Sequence, residues 1–187
     1  MFFVVPTAAA GLVIDPVLPM LALSGSRTAA VRFAGARPEH VIEPAERNAA
    51  RTGGLATTAL ALGAARAAVA VVSEEAERRS DLNAVAGGLE VELNSLLADL
   101  DRAAREGIAP ADRDALRQQA TSLVLRAAQA ALAASKGAGF VRGHPAERLA
   151  RESLFFLVWS CPQAVSAALL CELAGIGAAD SRKAHDS

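Results

Sequence analysis

The chain has 187 residues, which is enough for one domain, or one domain plus part of a second. Its 17 arginines and two lysines meet 20 acidic residues, and with a resulting net charge of −1 no strongly basic surface advertises nucleic-acid binding. A 52% hydrophobic and 21% charged composition excludes intrinsic disorder. The 45 alanines point to helices that pack closely, because alanine costs little helix entropy and adds little width.

Residues 1–46 read as short strands and turns. Phe2–Val5 is an apolar run closed by Pro6, and Ala29–Phe33 and Val41-Ile42 are similar runs between Pro and Gly punctuation. The stretch Met1–Ser26 is apolar but has no basic residue, and Pro6, Asp15, Pro16 and Pro19 interrupt it. It therefore lacks both the positive start of a signal peptide and the unbroken run of a membrane helix, and a cytoplasmic location is expected, with no membrane partner.

From Arg47 the period becomes helical. A first long helix over about 47–79 places Leu55, Ala59, Leu62, Val69, Val72 and Ala76 on one face. Leu89, Leu93, Leu96 and Leu100 carry 4-3-4 spacing through a second, about 84–106. A third, with Leu116, Ala120, Leu123, Ala127, Ala130 and Ala134 on its stripe, opens at Pro110, an early position that tolerates proline. Asp112 and Asp114 suit its first turn. The glycine-rich break Lys136–Gly139 follows. Pro145 starts a fourth helix, which Pro162 kinks or divides before Gly175 ends it. The expected fold class is mainly α, an up-and-down four-helix bundle over 47–177 preceded by a short β-rich remnant over 1–46, with a polar tail at 178–187.

Chemistry is sparse on these residues. Cys161 and Cys171 lie ten apart in a helical segment, about 15 Å at helical rise, so they read as two small buried hydrophobes rather than a disulfide. His40, His144 and His185 are scattered, so no metal site is expected. The chain has no phosphate loop, nucleophile elbow or dinucleotide fingerprint. Lys136–Gly139 reads as a helix-ending turn or as a place where backbone approaches a ligand. Glu147 and Arg151 form an i,i+4 pair in the favourable orientation. Arg78-Arg79 suits a helix end or a phosphate. Phe155, Phe156 and Trp159, three of the seven aromatics, read as core or subunit interface.

One stretch carries a family pattern. Lys136-Gly-Ala-Gly-Phe140, Val-Arg-Gly-His-Pro145, Ala-Glu-Arg148 and Leu-Ala-Arg-Glu152 resemble the segment near the end of acyl-CoA dehydrogenases. There a glycine-rich turn and an aromatic precede a loop, a proline and a helix with paired arginines. Gly54–Val72 resembles that family's first C-terminal helix, and Phe2–Pro6, Gly11-Leu-Val and Gly25–Phe33 resemble the end of its middle β-domain.

The resemblance implies a flavoprotein fold in which a C-terminal four-helix bundle builds the homo-oligomer and FAD lies between subunits. On that basis the chain is expected to hold the end of the middle β-domain plus the bundle, as a truncated or fragmentary relative. It implies that Arg79 reaches the FAD pyrophosphate and that the Gly137 and Gly139 backbone passes close to the neighbouring subunit's cofactor. It implies acyl-CoA as the substrate class of a full-length relative.

The departures are equally specific. The family glutamate that abstracts an α-proton corresponds here to Gly143, which has no side chain to act as a base. The alternative place on the first helix, near Thr52-Gly53-Gly54, holds no carboxylate either. Trp159-Ser-Cys-Pro162 stands where the family has Glu-Gly-Thr, and Leu82 replaces an aromatic. Glu147 is the nearest carboxylate to Gly143, and its place in the helix suits first-turn stabilisation. No catalytic residue is assigned, and catalysis by this chain alone is not expected. The other expectation is a helical interaction module without an activity of its own.

Overall fold

A computed structural model describes residues 1–43, 54–159 and 161–176. The chain divides into two compact units, Met1–Thr52 and Gly53–Ser187. The proposed tail at 178–187 and the start of the first helix at 47–53 lie outside the described residues.

The first unit holds two nested antiparallel ribbons. The outer one pairs β1 (Phe2–Val4) with β4 (His40–Ile42), with Phe3 opposite Val41. The inner one pairs β2 (Leu12–Ile14) with β3 (Val31–Phe33), with Val13 opposite Arg32. An Arg32–Asp15 ion pair at 2.8 Å and two further backbone bonds, Asp15 to Ala30 and Leu18 to Thr28, both 2.9 Å, prolong the inner ladder. Gly11 starts it in the left-handed region at φ +82°. A Cβ there would lie 2.3 Å from the Ala34 carbonyl oxygen, so only glycine fits. Both ribbons leave their apolar side chains largely exposed, with Phe3 and Phe33 at 60% and 65%. Strand β2 has no counterpart among the strand expectations. Three residues between Gly11 and Asp15 are too few to show alternation. Val5, Ala29 and Ala30 fall outside the strands.

The second unit is mainly helical: α1 (Leu55–Arg78), α2 (Asn83–Glu106), α3 (Pro110–Ala134), α4 (Pro145–Ser153) and α5 (Gln163–Leu173). The first three pack on one another through connections of only a few residues, so successive helices reverse direction. Helix α3 is central and touches all four others. Pro162 has its expected effect. The last segment is divided into α4, a 3₁₀ turn Leu154–Leu157 and α5. Gly175, at φ +68°, ends α5 with the Gly175 and Ile176 amides bonded back to Glu172 and Cys171.

One apolar cluster fills this unit. Ala61, Leu62, Ala65, Ala68 and Val72 of α1 and Ala120, Leu123, Ala127 and Ala131 of α3 are all 0% exposed. Alanine on both faces lets these two helices approach closely, which is the use that the composition implied. Helix α1 is long and apolar enough by length and composition to cross a membrane, yet its apolar stripe is turned into this core. Ala59, expected on that stripe, is exposed. With alanine on every side of α1 the sequence leaves the phase of the buried face ambiguous, and Thr58 and Ala61 take it instead.

Candidate functional site

The candidate site gathers where α1 ends and α3 ends. The helical backbone stops at Arg79, which turns extended at φ −141° and bonds its amide back to Ala76. Its guanidinium Nη2 then donates to the carbonyl of Ala134 at 3.1 Å. Ala134 is the last residue of α3, and Lys136 begins the glycine turn two residues later. Residues 55 positions apart are thus held together at one end of the helical unit. The Arg79 Nε is buried and has no acceptor among the described residues.

The turn Lys136–Phe140 is a short 3₁₀ segment. Lys136 takes the left-handed region at φ 51°, a conformation that disfavours any side chain with a Cβ. The two glycines differ in kind. Around Gly137 nothing lies within 4 Å of where a Cβ would stand, so its backbone is open to approach. Gly139 is buried, and a Cβ there would lie 2.9 Å from the Leu132 carbonyl oxygen and 3.0 Å from the Ser135 Cβ. The chain's own packing demands glycine at 139. Phe140 beside it is 73% exposed.

Gly143 turns the chain into α4 at φ +96°, a value that a glutamate would adopt only with strain. His144 caps the helix, its Nδ1 accepting the Ala146 amide at 3.2 Å, and Pro145 occupies the first turn. Glu147 accepts from Arg151 twice, at 2.7 and 3.1 Å. The Arg151 bond holds the Glu147 carboxyl below its ordinary range, helped by the Gly143 backbone amide and opposed by partial desolvation. A carboxylate so engaged is poorly placed to collect a proton as a general base. The first-turn role expected of Glu147 agrees with this geometry. Gly54 stands at the α1 N-cap; Thr52 and Gly53 lie outside the described residues.

Beyond α4, Phe155 stacks on Trp159 with ring centroids 5.1 Å apart and meets Phe156 edge-on at 5.5 Å. Phe156 is core, as one of the two readings has it, whereas Trp159 is 57% exposed. Ser160 lies outside the described residues. Cys161 and Cys171 are free thiols, half-buried rather than buried, and Cys161 precedes α5 instead of lying within a helix. Burial pushes the Cys161 thiol above its usual range, and the nearby Arg117 guanidinium offsets part of that.

Arg117 is the residue that pattern reading missed. It lies on α3 at 3% exposure. Its Nη2 reaches the Trp159 carbonyl at 3.4 Å and its guanidinium carbon sits 5.8 Å from the Phe156 ring centroid. Its Nε and Nη1 have no acceptor among the described residues. The signal was there: 117, 121, 124 and 128 form one buried stripe of α3, and arginine is the odd member of it.

No protein-family model and no curated protein matches the sequence. Solved structures do match the fold. An acyl-CoA dehydrogenase from Slackia heliotrinireducens superposes with a TM-score of 0.73 at 18% identity, over 98% of this chain and 53% of that one. Glutaryl-CoA dehydrogenase from Mycobacterium smegmatis gives 0.65 at 19% identity, over 94% and 51%. KijD3 in complex with FMN and a dTDP-linked amino-keto sugar gives 0.60 at 18%, over 92% and 51%. The chain therefore has the fold of acyl-CoA dehydrogenases and related flavoproteins, and spans about half the length of the solved structures it matches.

Proposed function

We propose that this chain is the FAD-adjacent, oligomer-building part of an acyl-CoA dehydrogenase-like flavoprotein, a reading that proceeds from the shared fold. The 1–46 segment then represents the end of a middle β-domain, 47–177 a C-terminal bundle and 178–187 a tail.

The observation that carries the reading is the junction of Arg79 with the glycine turn. A planar guanidinium with an unused, buried Nε suits a phosphate oxygen, and the open Gly137 backbone suits close approach of a cofactor. Arg79 and Gly137 thus fit a flavin pyrophosphate. Gly139 supports the turn through internal packing. A bound flavin would supply hydride acceptance at the acyl thioester. Arg79 would hold and orient the phosphates, and the turn would bring backbone close without a side chain in the way.

The same reading makes this chain on its own catalytically incompetent. Gly143 offers no base, and the Glu147 carboxylate is engaged by Arg151. A cytoplasmic homo-oligomer is the state proposed. Val158, Trp159, Leu170 and Leu173, each more than half exposed, supply apolar surface for a second copy. Absorbance of the purified chain tests the cofactor claim: it is expected to be colourless alone and inert toward acyl-CoA with an artificial acceptor. Stoichiometric flavin, or turnover, would overturn the incompetence.

The second reading is a helical interaction module without a flavin partner, favoured by that same exposed apolar surface. Sedimentation separates it from an isolated domain, because a strictly monomeric chain at micromolar concentration would leave the surface without a partner.

A further inference from the structure

A guanidinium taken out of water needs a counter-charge or a full set of acceptors, and otherwise costs several kcal/mol. Arg117 has neither among the described residues. It is 97% buried, two of its three nitrogens lack an acceptor, and the third has one carbonyl at 3.4 Å, the long limit of a hydrogen bond. The Phe156 ring face at 5.8 Å returns only part of the lost hydration. Asp114, three residues earlier, forms no ion pair with it.

A second arginine repeats the pattern. Arg113 is one turn earlier on the same face of α3, half-buried, and its Nε is also buried without an acceptor. Like charges at i,i+4 repel. Two arginines one turn apart, with spare donors and no carboxylate partner among the described residues, form the arrangement that an oxyanion resolves, because it accepts several N–H bonds and cancels both charges.

We propose that Arg113 and Arg117 bind a phosphate-type oxyanion between the first half of α3 and the Phe156–Trp159 segment. This site is separate from Arg79 and does not rest on the flavin reading. The long Arg117–Trp159 contact is the one the anion replaces, since a charged acceptor outcompetes a neutral carbonyl. Trp159, 57% exposed and outside regular helix, lies on the side open to solvent.

Thermal melts of the full chain in inorganic phosphate, against chloride at equal ionic strength and pH, test this. Tm should rise with phosphate and saturate, because a ligand that binds only the folded state stabilises it by mass action. Arg117→Met, which keeps the apolar bulk, should weaken the apparent phosphate affinity at least tenfold, and Arg113→Gln several-fold. Arg113 is half-buried, so R113Q keeps the test alive should R117M not fold. Adenosine monophosphate separates the two sources of the anion. Tenfold tighter binding than phosphate means the phosphoryl end of a larger ligand, and equal binding means the free anion. Identical melts in phosphate and chloride, or equal phosphate responses in wild type and both variants, would overturn the proposal.

Discussion

Arg79 donates to the carbonyl of Ala134 at 3.1 Å, tying the end of α1 to the end of α3 and fixing where the glycine turn begins. The carbonyl is one of the orphan acceptors at a helix C-terminus, so a single side chain satisfies a backbone group and places a guanidinium beside Lys136–Phe140. Arg79→Met should cost about 1 kcal/mol, the net worth of such a bond, read as a lower denaturation midpoint. Arg79→Lys should recover part of that stability, but none of a phosphate interaction that depends on the planar fork.

The two turn glycines should separate cleanly. Gly139→Ala forces a methyl against the Leu132 carbonyl and the Ser135 side chain, and overpacking of this kind costs about 1–3 kcal/mol. Gly137→Ala meets open space and should leave the urea midpoint within about 0.5 kcal/mol of wild type. Under the proposed flavin role, G137A would instead show its effect in cofactor affinity. Equal destabilisation by both substitutions would contradict the packing described for Gly139.

Glu147 predicts an acid limb. Its folded carboxyl is held below the usual range, mainly by Arg151, so the group favours the folded state above the ordinary glutamate range. That contribution fades as pH falls through the unfolded value and down past the folded one. Glu147→Gln should therefore flatten the loss of stability below about pH 4, near the ordinary glutamate value, and leave the pH 6–8 region level. A melt series over pH 3–7 on both proteins checks it. A steeper acid limb in E147Q would reverse the sign.

Cys161 should be a sluggish thiol. Burial raises it above its ordinary range, so its alkylation by iodoacetamide should be slower at pH 7.5 than that of a free peptide thiol and should still climb with pH beyond 9. In R117M it should be slower still, because the guanidinium that eases thiolate formation is gone. Mass-spectrometric labelling rates would register either result.

The alanine faces should resist enlargement. Ala65 and Ala127 are wholly buried in the cluster that joins α1 and α3. Ala65→Leu or Ala127→Leu should cost about 1–3 kcal/mol through helix displacement, while Leu123→Ala should cost about 2–5 kcal/mol through the cavity it leaves. Guanidinium denaturation would measure all three.

Long helices with leucine at regular spacing were legible in the sequence. Leu89, Leu93 and Leu96 are buried as their 4-3-4 spacing requires, and Pro110, Pro145, Pro162 and Gly175 mark boundaries where their backbone chemistry dictates. Where alanine surrounds a helix the period carries less information, so the spacing turns Ala59 inward although it is exposed. Three-residue strands are shorter than the alternation needed to detect them, so β2 was visible only as part of a family-like segment. The Arg79–Ala134 bond could not be read locally, because it joins two helix ends that only tertiary packing brings together. Arg117 could have been found, since a charged residue within a buried period of α3 is a local contradiction and such contradictions gather at functional positions.

The stacked Phe155–Trp159 pair has an optical consequence. The chain contains one tryptophan and no tyrosine, so its near-ultraviolet emission arises almost wholly from one indole. That indole lies against Phe155, and its own carbonyl receives the Arg117 guanidinium. The protein thus carries a built-in fluorophore at the α4–α5 junction. Shifts in its emission wavelength or quenching report on that junction directly, with no introduced label and no competing signal from the rest of the fold.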